Sequence, residues 1–220
     1  MLAKDFISYE IPILKFTDTC DKVLRWMDEY RVLHMPVFDG TSYQGLVSEA
    51  DLLNCQDSDT ALSIFENKML KVAVKGDSPI YEVIKLMDDF KLSLIPVVDE
   101  QDRLQGTISY KEVITAMVDV FNLNAKGAVF VLEMNYVDYA LSEISRIVES
   151  NDARVLSSHV SFQPESNLID VVVKVNTESL TGILQTLERY DYTIKASFGG
   201  VQTDDHLQER YEELMRYLNT

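Results

Sequence analysis

The feature that most constrains this chain is a duplication. The stretch Gly45-Leu46-Val47-Ser48-Glu49-Ala50-Asp51 returns as Gly106-Thr107-Ile108-Ser109-Tyr110-Lys111-Glu112. Each copy reads as glycine, a short apolar strand, serine, two residues and a carboxylate. Apolar residues come after each copy, Leu52 and Leu53 after the first and Val113, Ile114 and Met117 after the second. Upstream, Val23, Met27, Asp28, Pro36, Val37 and Asp39 recur 60 positions later as Val83, Met87, Asp88, Pro96, Val97 and Asp99. The glycines shift by 61, which places a single insertion in the hairpin turn. Agreement at a fixed period marks a repeat architecture, so one helix, strand, hairpin and helix unit is expected twice, over residues 1–60 and 61–124.

The local signals agree with that unit. Thr17-Asp18-Thr19 supplies capping residues before the helical spacing of Val23, Leu24 and Met27. His34 to Gly40 reads as a strand ending in an Asp-Gly turn. After a polar connector from Cys55, the pattern restarts with Val72-Ala73-Val74. Gly76-Asp77-Ser78-Pro79 then opens a helix with proline at its first position. Serine followed three residues later by an acid is the capping-box pattern, in which hydroxyl and carboxylate satisfy backbone N–H groups at a helix start. A helix start also carries free N–H groups and the positive end of the dipole, which suit an anion. Capping alone and ligand binding therefore both remain open for Ser48/Asp51 and Ser109/Glu112.

With these residues in hand, the first 124 residues resemble tandem CBS domains, a Bateman module. Each copy carries the helix, the Met35-Pro36-Val37 or Ile95-Pro96-Val97 strand, the hairpin and the Gly-x-x-Ser-x-x-acid element. The resemblance implies an α/β (α+β) fold in which the two copies pack as a pseudo-twofold pair with two clefts. It also implies a regulatory role through an adenosyl ligand, for which AMP, ADP, ATP and S-adenosylmethionine are the candidates. Asp51 and Glu112 would accept ribose hydroxyls. Ser48 and Ser109 would meet phosphate, with Lys111 adding a contact, while Met35-Pro36 and Ile95-Pro96 would line the base slot. Glu112 departs from the usual aspartate by one methylene, which makes the two clefts unequal.

Asn122 to Gly127 interrupts the helical pattern and marks a boundary. Beyond it the expected order is strand, helix, strand, strand, helix, strand. The first strand is Ala128 to Met134, and the first helix carries Val137, Ala140, Leu141, Ile144, Ile147 and Val148. In the next strand Leu156, Val160 and Phe162 face one way and Ser157, His159 and Ser161 the other. Ile169 to Val175, a helix through Leu180 to Leu187, and a strand with Tyr192, Ile194, Ala196 and Phe198 complete a ferredoxin-like βαββαβ domain over 128–200. It resembles an ACT domain, and the whole is similar to acetoin-utilisation (AcuB-type) CBS-ACT proteins. Amino-acid binding in ACT domains uses a glycine-containing turn after the first strand. Here that turn is Asn135-Tyr136-Val137-Asp138, so assembly, as a homodimer, is the expected use. Leu207, Tyr211, Leu214 and Leu218 give a C-terminal helix over 204–220 one apolar stripe.

Composition narrows the function classes. With 36 acids against 20 bases and a net charge of −16, the chain lacks the basic footprint of a nucleic-acid binder, and binding to an anionic membrane surface is not expected. No apolar run reaches the length of a membrane span, and the N-terminus lacks the pattern of a signal peptide, so a cytoplasmic location is expected. Cys20 and Cys55 fit neither a metal spacing nor a CxxC pair and are expected as reduced thiols. His34, His159 and His206 lie apart and are read as structural or exposed. No P-loop, GxSxG elbow or metal-ligand cluster occurs. The expectation is a regulator, not an enzyme, with no bound cofactor or metal, acting on a protein partner. The alternative is a ligand-free assembly scaffold.

Overall fold

Helix α1 (Cys20–Tyr30) starts where Thr19 accepts the Lys22 N–H, buries Cys20, Val23 and Met27, and ends at Arg31 in the left-handed region. Strands β1 (His34–Asp39) and β2 (Ser42–Ser48) form an antiparallel hairpin that sets Met35 opposite Val47 and Pro36 opposite Leu46. The helix expected after Ser48 is a single turn, α2 (Glu49–Leu52). No apolar residue comes after Leu53 at helical spacing, and Asn54 turns its side-chain amide onto the Ala50 carbonyl. These positions belong to a computed structural model that describes residues 1–55, 57–164 and 166–199.

The second copy contributes β3 (Val74–Lys75), α3 (Ile80–Asp89), β4 (Leu94–Val98), β5 (Leu104–Ser109) and α4 (Tyr110–Val120). Pro79 is the cap of α3, and Ile80 is the first helical residue. Strand β3 runs parallel to β4, and β4 pairs antiparallel with β5. In α4 the apolar spacing continues through Val113, Ala116 and Val120, so this closing helix runs for 11 residues. The chain divides into two units, Met1–Met117 and Val118–Thr220.

Within the first unit the copies exchange their leaders. The turn Ala3–Phe6 donates from Ala3 N–H to the Ser78 carbonyl (2.8 Å) and from Lys4 N–H to that of Gly76 (2.9 Å). The equivalent turn Leu62–Phe65 donates from Leu62 N–H to Asp18 (2.9 Å) and from Ser63 N–H to Phe16 (3.1 Å). Ser8 then bridges Thr107, and Leu70 bridges Leu46. Each leader thus extends the sheet of the other copy. The repeated glycines mark the crossing: Gly45 (φ +146°) would place a Cβ 2.6 Å from Met69 Cβ, and Gly106 (φ +143°) one 2.2 Å from Ile7 Cγ2. The copies also meet at equivalent positions, since Ser42 bridges Arg103. At the other end Ser93 Oγ accepts from the N–H groups of Leu33 (2.8 Å) and His34 (3.0 Å).

Cys20 and Cys55 correct the expectation of separate thiols. They form a disulfide across a sequence separation of 35. The fold sets the first residue of α1 beside the chain leaving α2, a proximity that cysteine spacing does not encode.

In the second unit β6 (Ala128–Asn135), α5 (Leu141–Ser150), β7 (Val155–Phe162), β8 (Leu168–Val175), α6 (Thr181–Arg189) and β9 (Thr193–Phe198) succeed one another in the expected βαββαβ order. The antiparallel sheet has the order β7-β8-β6-β9. Ile144, Ile147 and Val148 of α5, with Ile183 and Leu187 of α6, share one core with Phe130, Leu132, Val171 and Val173. Two expected faces differ in detail. Val137 lies before α5 in the turn Tyr136–Asp138 and is 88% exposed. A bulge between Val155 and Ser157 keeps Val155 and Val160 against the core, while Phe162 is 65% exposed and stacks on Tyr136 at 5.3 Å. His159 is exposed, as expected, with its ring 5.3 Å from that of Phe121. The helix expected over 204–220, and His206 within it, lie outside the described residues. Among those described, no helix is long and apolar enough to cross a membrane.

Candidate functional site

Both repeated helix starts are closed by their own side chains. Asp51 N–H donates to Ser48 Oγ at 3.1 Å, and Asp51 Oδ2 accepts from the Ser48 hydroxyl and, at 3.4 Å, from its N–H. In the second copy Glu112 Oε2 accepts from the Ser109 hydroxyl and, at 2.8 Å, from its N–H. The extra methylene of Glu112 is therefore absorbed in reaching its own cap. All four residues are partly exposed, and these bonds use one carboxylate oxygen in each copy. Capping thus holds each carboxylate at a fixed position at the strand-to-helix corner.

The remaining expected site residues fall elsewhere. Met35 and Ile95 have no exposed surface, and Pro36 and Pro96 are also buried. The side chains expected at the base slot thus lie within the strands' packed layer. Lys111 is exposed and pairs with Glu10 of the leader (Nζ–Oε2 3.0 Å); that hydrogen bond raises its pKa. Its ammonium is turned to a carboxylate in place of a phosphate. With α2 reduced to one turn, the dipole behind Ser48 is small, so the anion-binding expectation is weakest in the first copy.

Sequence reasoning missed two features close to this corner. His34 Nδ1 faces Ser93 N–H and Ser93 Oγ, each at 3.2 Å, so a nitrogen without a proton fits there. Burial lowers the His34 pKa, and the charge of Asp51 acts in the opposite sense. The disulfide anchors the residues just after α2. Among the described residues, no group of three or more His, Cys, Asp or Glu is arranged to hold a metal ion.

The turn Asn135 to Asp138 borders a cavity of about 370 Å³ with Glu133, Glu143, Asp191 and Tyr192. Burial and the neighbouring Glu143 raise the Tyr192 pKa. Four carboxylates around one hollow disfavour an anionic ligand.

Residues 69–119, which span the second copy from before β3 to near the end of α4, match the family model of the CBS domain. The first copy has the same strand, hairpin and helix-start order. The chain is similar to a CBS domain pair/ACT domain protein of Thermotoga maritima, with 25% identity, 54% of this chain and 98% of that one covered, and a TM-score of 0.48. It is also similar to a Vibrio cholerae protein named for acetoin utilization, AcuB (24%, 56% and 95%, TM-score 0.48). A third similar structure is that of CBSX2 in complex with AMP (21%, 54% and 97%, TM-score 0.46). An uncharacterized protein of Methanocaldococcus jannaschii is 24% identical over 115 residues, 52% of this chain. That match spans 43% of the relative's own length.

Proposed function

We propose that the chain is a regulatory CBS-pair protein that takes an adenosyl ligand at one or both helix-start corners and passes the event to its ACT-like domain. The observation that carries this reading is the pair of carboxylates, Asp51 and Glu112, held by their caps at equivalent corners of a duplicated unit. A carboxylate fixed in this way offers its other oxygen to vicinal ribose hydroxyls with charge assistance. Asp51 is the better ribose partner, because Glu112 spends its length on its own cap. Helix α4 begins at the second corner and leads toward the ACT-like domain, which makes it the natural lever. A ligand shifts this lever only if it binds two arrangements of the pair unequally. The ACT-like domain serves homodimer assembly in this reading.

One observation favours a second reading, a ligand-free scaffold that binds a protein partner: in both copies the serine and the acid are engaged with each other and with N–H groups of the helix start. Calorimetric titration with AMP, ADP, ATP and S-adenosylmethionine separates the two. The sensor reading expects saturable heat with at least one ligand and a loss of about tenfold or more in affinity in Asp51→Asn, which retains a cap acceptor. Absence of heat and of any thermal shift at millimolar ligand would leave only the scaffold.

A further inference from the structure

The two hairpins of the first unit differ at one equivalent position, Tyr43 in the first and Leu104 in the second. In the first copy Tyr43 stands opposite Phe38 across the hairpin, its ring 5.3 Å from the Phe38 ring. Its hydroxyl donates to the Val72 carbonyl at 2.8 Å, with Leu70 O at 3.4 Å, so the ring fills the space between the hairpin and the leader of the second copy. Burial raises the Tyr43 pKa, in keeping with an enclosed phenol. In the second copy the same register places Leu104 opposite Val98. The leader there is also longer: Tyr9-Glu10-Ile11-Pro12-Ile13 stands between the Ser8 and Leu14 bridges, where the second leader has only Lys71-Val72-Ala73 before Val74.

A smaller side chain and a longer leader leave a cavity of about 530 Å³, within the range of small-molecule sites. Tyr9, Ile13, Phe38 and Leu104 give it a predominantly apolar wall, and Thr41 and Arg103 stand among its polar residues. Arg103 is paired with Asp99 (Nε–Oδ2 2.7 Å), so it brings little unbalanced positive charge. The cavity includes none of the residues of the helix-start corners.

From this we infer that the cavity between the two hairpin tips is a second ligand site, for a hydroxyl-bearing aromatic small molecule seated beside Leu104, the position that Tyr43 holds in the first copy. The ring packs on Phe38, Tyr9 and Leu104, and the hydroxyl is directed at the leader backbone, as the Tyr43 hydroxyl is directed at Val72. An uncharged ring suits a net-acidic chain better than a polyanion does.

The test uses p-cresol, the side chain of tyrosine as a free molecule, titrated into the full-length protein while backbone amide NMR signals are monitored. Saturable shifts centred on Gly40, Thr41 and Gly106 are expected, with toluene, which lacks the hydroxyl, binding several-fold more weakly. Leu104→Tyr, which rebuilds the first copy's plug, should weaken the response at least about tenfold. Thr41→Trp, on the exposed hairpin tip, should do the same by closing the mouth without altering the core. Shifts that never saturate, that map elsewhere, or that persist in either folded variant would overturn the site. Titration with AMP, monitored at Ser48 and Asp51, reads the adenosyl proposal independently, so either can fail alone.

Discussion

At the scale of single residues, His34 is the position where pH should act. Its Nδ1 faces a backbone N–H and a hydroxyl of Ser93, while Leu94 occupies the equivalent place in the other copy. Burial holds its pKa below the ordinary 6.5, so the unfolded chain binds a proton more readily than the folded one does. Above that value His34 is neutral in both states and contributes no pH dependence. As pH falls below it, the unfolded state gains protons first and stability declines until the lowered folded pKa is passed. The melting temperature should therefore drop between about pH 7 and pH 5, the range in which histidine titrates. His34→Asn, whose amide oxygen can accept from Ser93 without titrating, should flatten part of that drop; identical pH profiles for the two proteins would refute the assignment. A lone histidine was readable as structural from sequence. Its partner was not, because Ser93 becomes a neighbour only when the two copies meet.

Elements show where a motif stops being informative. The Ser-x-x-acid pattern correctly marks two helix starts, yet one helix is a single turn and the other runs to Val120. The difference lies downstream of the motif, with polar residues after Leu53 and sustained apolar spacing after Glu112. The short element is compensated by a covalent tie, since the Cys20–Cys55 disulfide closes a loop of 35 residues around α1, β1, β2 and α2. Loop-closure entropy for such a span is on the order of 3–4 kcal/mol. Cys55→Ser, or reduction of the native protein, should lower stability by that order in denaturant titration. A change below about 0.5 kcal/mol, the scale of an ordinary surface substitution, would show that the bond does not restrain the fold. The bulge at Val155–Ser157 was equally hidden, because strict alternation describes β7 only after the irregularity.

For the whole molecule, the duplication and the βαββαβ order were legible because each rests on local periodicity. The leader exchange was not legible. A leader that returned to its own copy would make the same hydrogen bonds to the same residue types, so composition and spacing cannot distinguish the two arrangements. The exchange has a measurable signature: removing residues 1–9 takes away the acceptor of the Thr107 N–H, the Ser8 carbonyl, and the Met1 carbonyl that accepts from Ile80. Hydrogen exchange at Thr107 and Ile80 should then accelerate at least about tenfold, while Leu46, bonded to Leu70, keeps its protection; uniform acceleration in both copies would count against independent leaders. The exchange also sets an order of events during synthesis. The second leader meets strands of the first copy that are already made, whereas the first leader has no partner until Gly76 to Ile80 emerge, and its Ser8 none until Thr107 does. The first leader thus waits for its partners far longer than the second, whose partners precede it in the chain.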